Sequence, residues 1–119
     1  MSAQDRINLL SRLQSLSNDD RLCHGDFHPG NILGSEAEPF IVDWLDATSG
    51  PAQADACRTY LLALHHEPWL ADQYLAAYAQ ASGWPAERIL VWLPVVAAAR
   101  LAENVIDEDS RLLALATKS

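Results

Sequence analysis

Two segments joined by a short hairpin connection constrain the fold of this chain most. The first, from His24 to Leu33, is rich in Gly, Pro, Asp and Asn, which predicts a loop that runs into a strand. The second, from Ile41 to Trp44, follows a polar stretch over residues 34–39 whose apolar flanks predict a β-hairpin. A hairpin returns its second strand to the end where the first began. We therefore expect Asp43 to lie near Asn31.

Three oxygen-bearing side chains would meet in this arrangement. Asn31 and Asp43 offer hard oxygen ligands that suit Mg²⁺, an ion that takes one or two protein ligands and completes its shell with phosphate and water oxygens. Asp26 then lies near the metal–phosphate centre, where it can accept a proton from a substrate hydroxyl. The alternative is that Asp26 only caps the loop backbone, but its two companions favour a catalytic site.

The combined pattern, His-Gly-Asp-x-His-Pro-Gly-Asn followed by Val-Asp-Trp, resembles the catalytic and metal-binding loops of the aminoglycoside phosphotransferase and choline kinase family. The resemblance covers Leu22 to Arg58 in detail and the later helices loosely. It implies the C-terminal catalytic lobe of a protein-kinase-like fold, which transfers the γ-phosphate of ATP or GTP to a small-molecule hydroxyl. It also implies that Asp26 is the catalytic aspartate and that Asn31 and Asp43 bind Mg²⁺.

The same resemblance implies roles for five further residues. His28 occupies a position that contacts the γ-phosphate, although packing within the loop is an equal alternative. Leu33 and Val42 match residues that floor the adenine pocket. His24 matches a structural histidine beneath the loop, and Asp55 matches an aspartate that braces the loop through backbone hydrogen bonds. The family's Gly-Asp-Pro is replaced here by Gly-Pro-Ala at residues 50–52, but Asp55 keeps its distance from that turn.

The rest of the chain predicts an α+β protein that is mostly α, with one domain over residues 1–119. Ser2 to Ser17 reads as an amphipathic helix with a capping box, and residues 21–24 as a short strand. A second loop is expected over residues 46–50. Helices are expected to begin near first-turn prolines, to split at one internal proline and to end in a short helical segment; these landmarks are Pro51, Pro68, Pro85, Pro94 and Leu112–Leu115.

Charge and composition narrow the functional classes. The net charge of −8 disfavours nucleic-acid binding and suits a cationic substrate. The resemblance makes Glu103, Asp107 and Glu108 secondary candidates for binding such a substrate, whereas the bland interpretation of residues 107–109 is a solvated helix end. The adjacent His65 and His66 are expected at a surface or a helix end. No apolar run is long enough to span a bilayer, and two cysteines without a disulfide framework favour a cytoplasmic protein.

The family also carries an N-terminal nucleotide-binding lobe. Only 23 residues precede His24 and most are predicted to form one helix, so we expect that lobe to be absent and the chain alone to be inactive. The chain would then be a fragment, a truncated paralogue acting as an interaction module, or one half of a two-chain enzyme. The apolar face around Leu33 and Val42 would need a cover. A homodimer is weakly favoured for that role over the first helix or a separate N-terminal lobe.

Overall fold

The fold is α+β and mostly helical, as predicted. The computed structural model describes residues 1–104 and 107–118. Over these residues the helices are α1 (Ala3–Ser15), α2 (Ala52–His66), α3 (Pro68–Ser82), α4 (Ala86–Leu90), α5 (Leu93–Leu101) and α6 (Asp109–Ala116). The strands are β1 (Arg21–Cys23), β2 (Ile32–Gly34), β3 (Pro39–Ile41) and β4 (Thr48–Gly50), and a 3₁₀ turn over Pro29–Asn31 leads into β2.

Helix α1 begins with the predicted capping box. The Ser2 hydroxyl accepts a hydrogen bond from the Asp5 amide, and the Asp5 carboxylate accepts one from the Ser2 amide, each at 3.0 Å. The helix packs its half-buried Leu9 and Leu16 against the core beside α5. It leaves the β2–β3 hairpin open, because the Leu33 side chain on that hairpin remains 56% exposed.

Both small sheets are antiparallel pairs. Strands β2 and β3 form the predicted hairpin, with Leu33 opposite Phe40. Strand β1 pairs with β4, with Leu22 opposite Ser49. The prediction of a plain loop over residues 46–50 is therefore wrong. A three-residue Thr-Ser-Gly strand has no apolar alternation by which a sequence pattern could identify it. It forms because its backbone groups pair with those of β1.

Helix α2 lies at the centre of the core. Its Cys57 and Leu61 are fully buried against the equally buried Ile89 of α4 and Leu112 of α6. Both cysteines are free and buried, as expected for packing residues. The N-terminal end of α2 faces the loop that follows β1, so the best-packed helix of the protein also supports the candidate site.

Pro94 divides the third predicted helix. The chain forms α4, makes a turn at Val91–Trp92 and resumes as α5 with Pro94 in its first turn. Because first-turn amides have no partner within a helix, the proline costs no hydrogen bond there. Helix α5 ends at Leu101, and the predicted continuation as far as Ile106 falls partly outside the described residues.

The acidic run before α6 is not fully solvated. Glu108 is only 6% exposed and accepts hydrogen bonds from the Arg100 guanidinium at 3.1 and 3.0 Å. The prediction of a solvated helix end is therefore wrong for Glu108. The hydrogen-bonded ion pair with Arg100 compensates for the loss of water around the Glu108 carboxylate. His65 and His66 do end α2, as predicted. However, the His65 side chain is buried beside Glu108, and this burial lowers its pKa.

Candidate active site

His24 joins the loop after β1 to the strand that leads to Asp43. Its Nδ1 accepts a hydrogen bond from the Asp26 amide at 3.1 Å, which leaves the proton on Nε2 to bind the Val42 carbonyl at 2.8 Å. The ring is 4% exposed and lies against Trp44, with ring centroids 4.6 Å apart. With both nitrogens bonded inside the protein, His24 acts as a structural strut and is unsuited to proton transfer.

Asp55, in the first turn of α2, holds the same loop from the other side. Its two carboxylate oxygens accept hydrogen bonds from the amides of His24 at 2.9 Å and Gly25 at 3.0 Å. Gly25 has a φ of +90°, and a Cβ at this position would lie 2.5 Å from the Asp46 carbonyl oxygen. The loop therefore requires glycine here, and Asp55 fixes the direction from which Asp26 enters the site.

Asn31 is the centre of the polar cluster. Its side-chain NH₂ group donates to the Asp26 backbone carbonyl at 2.9 Å and lies 3.5 Å from the Asp26 carboxylate. The backbone carbonyl of Asn31 accepts a hydrogen bond from the Val42 amide at 2.9 Å. Asn31 is 7% exposed. Asp43 directly follows Val42, so this backbone contact brings the three predicted polar residues to one end of the hairpin.

Asp43 has a conformation unusual for a residue other than glycine. Its φ is +60°, in the left-handed region that aspartate and asparagine tolerate better than other side chains. Within the described part of the chain, neither its carboxylate nor the Asn31 side-chain oxygen accepts a hydrogen bond. Two unpaired oxygen ligands at the same end of the hairpin fit the ligand preference of Mg²⁺. Across residues 1–104 and 107–118 there is no cluster of three or more His, Cys, Asp or Glu side chains that could hold a metal.

His28 combines a packing role with access to the site. Its Nδ1 accepts a hydrogen bond from the Gly30 amide at 3.1 Å and so caps the 3₁₀ turn. Its Nε2 lies 3.6 Å from the Asp26 carboxylate and 3.3 Å from the Asn31 amide nitrogen. The imidazole is held beside the cluster by the same contact that shapes the turn.

The two residues assigned to the adenine floor lie on the hairpin. Leu33 is opposite Phe40 in the β2–β3 register, and Val42 follows two residues after Phe40, so the three side chains share one face. Leu33 and Phe40 are 56% and 60% exposed, and Val42 is half-buried. This is the open apolar surface that the sequence predicted.

Arg58 is a site residue that the sequence did not single out. One guanidinium nitrogen lies 3.7 Å from the Asp26 carboxylate, and another donates to Glu103 at 2.9 Å. Arg58 follows Asp55 by one helical turn, which places both on the loop-facing side of α2. Thr59 adds a hydrogen bond to the Phe27 carbonyl at 2.8 Å. The spacing of Arg58 from Asp55 could have placed both residues on one face of a helix. Only the folded loop shows that Arg58 contacts Asp26.

Two of the three secondary candidates for a cationic substrate are already paired. Glu103 accepts hydrogen bonds from Arg58 and Arg100, and Glu108 accepts two from Arg100. Their carboxylates form structural ion pairs between α2, α5 and α6. Asp107 is exposed, with a φ of +74°.

A cleft of about 460 Å³ opens beside Asp26, between α2 and α3; we call it the α2–α3 cleft. Its volume lies within the ~300–1,000 Å³ typical of small-molecule sites. Asp26 and His28 line one end of it, and Arg100 also contributes to its wall. The candidate catalytic carboxylate thus faces a space that can hold a small molecule.

The site places a carboxylate beside a cleft and carries two side chains, Asn31 and Asp43, whose oxygens accept no hydrogen bond within the described residues. The model of the phosphotransferase enzyme family, APH, matches residues 3–90, well over half of the chain. The chain therefore belongs to this family, which indicates kinase-like phosphotransfer. No curated protein and no solved structure matches it. None of the described helices is long and apolar enough to cross a membrane.

Proposed function

We propose that the protein is the C-terminal catalytic lobe of a cytoplasmic small-molecule kinase of the aminoglycoside phosphotransferase and choline kinase type. It would transfer the γ-phosphate of ATP or GTP to a substrate hydroxyl. The observation that carries the proposal is the fixed position of Asp26. Hydrogen bonds from its backbone to the His24 and Asn31 side chains hold this residue at the mouth of the α2–α3 cleft, at the end of the hairpin that also carries Asn31 and Asp43.

Each residue at the site has a definite task in this proposal. The Asp26 carboxylate orients the substrate hydroxyl and accepts its proton, and such general-base catalysis typically contributes ~10²–10⁴ in rate. Asn31 and Asp43 would hold Mg²⁺, which neutralises phosphate charge when bound. His28 presents Nε2 on the phosphate side of the cluster, and Leu33 and Val42 offer an apolar surface to the nucleotide base.

The exposed face of the β2–β3 hairpin supports a proposal about partners. Leu33 and Phe40 lie open on one side of this hairpin. Covering them would favour association, because burying apolar surface stabilises by ~25 cal/mol per Å². We propose that a second copy of the chain covers this face, with a nucleotide-binding lobe as the alternative. Light scattering at micromolar concentration tests the second copy: a mass near 13.1 kDa at every concentration would exclude the homodimer.

The metal site is tested by binding, which does not depend on turnover. Mn²⁺ binding followed by electron paramagnetic resonance should weaken at least tenfold in Asp43→Asn. This substitution removes the charge but keeps a side chain that tolerates the left-handed backbone. Glu36→Gln, at the exposed tip of the hairpin, removes the same charge away from the site and should bind as the wild type does. Equal affinity in all three proteins would mean that Asp43 is not a ligand.

Catalysis is tested by phosphoryl transfer from Mg-ATP to a panel of hydroxyl compounds, with the chain combined with the nucleotide-binding lobe of a family member because we expect the chain alone to be inactive. Asp26→Asn keeps the size of the side chain but cannot accept the proton, so turnover should fall at least 100-fold. Asp20→Asn, on the exposed turn before β1, is the matched control and should keep full activity. Unchanged turnover in Asp26→Asn would refute the role of this carboxylate. The truncated-paralogue alternative predicts no transfer to any acceptor by the wild type, even with that lobe present.

A further inference from the structure

The α2–α3 cleft has mainly carbon walls. Leu62 and Ala63 of α2 form one side and Leu70 and Tyr74 of α3 form the other, with Phe27 between them. The Phe27 and Tyr74 rings, which both line the cleft, lie 6.5 Å apart between centroids and form an aromatic pair in its wall. Such walls favour a ligand that buries apolar surface.

Buried side chains line the inner part of this cleft. Burial is the main cause that raises the pKa of Tyr74, the α3 residue whose ring lies beside Phe27 of the loop. Leu62 and Ala63 are 5% and 9% exposed. A polar ligand group placed against this wall would lose its hydration without gaining a hydrogen bond, and that loss is costly.

The charges along the cleft do not suit a polycation. Its acidic lining residues in the described chain are Asp26 and Glu67. Asp26 already faces the Arg58 guanidinium at 3.7 Å, and the lining residue Arg100 is neutralised by its ion pairs with Glu103 and Glu108. Glu67, exposed at the junction of α2 and α3, is left as the single carboxylate able to meet a ligand cation. All but one of several ammonium groups would therefore lie against carbon walls without a partner, where they are disfavoured.

We propose that the α2–α3 cleft binds an acceptor with an apolar body, a hydroxyl directed to Asp26 and at most one positive charge, which is placed at Glu67. The naming of this ligand as the phosphate acceptor rests on the proposed function. The binding preference itself rests on the walls and charges of the cleft. The net charge of −8 would steer many cations toward the protein, but the local surface of the cleft selects among them.

The test is a titration of the ¹⁵N-labelled chain followed by two-dimensional NMR. The ligands are 2-(1-naphthyl)ethanol, which is neutral and apolar, and kanamycin, which is a polycation. The neutral alcohol should shift the amides of Phe27, Leu70 and Tyr74 saturably, and kanamycin should leave them in place. The proposal is overturned if kanamycin shifts these amides saturably, or if millimolar naphthylethanol does not.

Matched variants locate the contact. Leu70→Gln should weaken naphthylethanol binding at least fivefold, because Leu70 is half-buried in the cleft wall. Leu113→Gln makes the same change on α6, where the leucine is 37% exposed and lies outside the cleft, and should bind as the wild type does. Equal weakening in the two folded variants would overturn the assignment of the cleft.

The single-cation limit has its own comparison. The ligand 1-amino-3-(1-naphthyloxy)propan-2-ol carries an apolar ring, a hydroxyl and one ammonium group. Glu67→Gln should weaken its binding at least threefold and leave naphthylethanol unaffected. An equal response to the two ligands would remove Glu67 from the proposal.

The two proposals fail separately. If the wild type binds naphthylethanol in the cleft but transfers no phosphate to any hydroxyl compound when combined with a nucleotide-binding lobe, the binding inference stands and the proposed function fails. If the protein phosphorylates kanamycin and ignores apolar alcohols, the proposed function stands and the inference fails. Asp26→Asn keeps the cleft walls intact, so its binding can be measured without turnover.

Discussion

Asp55→Asn is the substitution that most directly tests how the loop is held. The wild-type carboxylate accepts two hydrogen bonds, from the amides of His24 at 2.9 Å and Gly25 at 3.0 Å. Hydrogen bonds to charged groups are worth ~1.5–3 kcal/mol each. Asparagine keeps one neutral acceptor and turns its NH₂ group toward the other amide, which loses its partner. We expect the free energy of unfolding to fall by ~2–4 kcal/mol, a large share of the ~5–15 kcal/mol typical of a domain.

The assay is urea denaturation followed by circular dichroism. For a slope of ~2 kcal/mol per M, within the range usual for small proteins, the midpoint should fall by about 1–2 M. Asp72→Asn makes the same change on the exposed surface of α3 and should stay within ~0.5 kcal/mol of the wild type. Hydrogen exchange at the Gly25 amide should accelerate in Asp55→Asn alone. A midpoint equal to that of the control, with wild-type exchange at Gly25, would refute the bracing role of Asp55.

Two other predictions concern buried groups. The hydrogen bonds from Arg100 lower the pKa of Glu108 below its usual 4.5, so the stabilisation from this pair is complete above pH 4.5 and is lost as the pH falls through the lowered pKa. Glu108→Gln should therefore lower the free energy of unfolding by ~1–3 kcal/mol at pH 7 and reduce the loss of stability in acid. Urea titrations from pH 7 to pH 3 test this; the same pH dependence of the free energy of unfolding in both proteins would contradict it. Burial raises the pKa of Cys57 to about 12, so its thiol should react with iodoacetamide at pH 8 far more slowly than in urea-unfolded chain, and equal rates by mass spectrometry would refute this.

Local signals in the sequence located most of the helices and the hairpin. The Ser2 capping box marks the start of α1, and prolines mark the first turns of α3 and α5. These features act over a few residues, so a pattern can reveal them. The polar residues of the site were found in the same way, because their order along one loop and one hairpin already implies that they meet. Their individual roles stay predictions.

Contacts between distant segments were beyond the sequence patterns. Strand β4 forms by pairing with β1, and no pattern in Thr-Ser-Gly predicts that pairing. The burial of Glu108 depends on Arg100 reaching it from α5, and the Arg58 contact with Asp26 depends on where α2 meets the loop. The exposed hairpin face was expected, but the first helix does not cover it, since α1 packs beside α5. Each of these outcomes is decided by tertiary packing.

The residues of α2 that hold the loop and those that wall the cleft form one stripe along the helix. Asp55, Arg58 and Thr59 anchor the loop, and Leu62 and Ala63 continue the stripe one turn further on. The anchors lie in the first two turns and the wall lies beyond them. Natural variation could therefore retune which acceptor enters by exchanging wall residues while the anchors stay unchanged. If the cleft binds the acceptor as we propose, different turns of α2 carry substrate preference and support of the loop, and each could diverge without loss of the other.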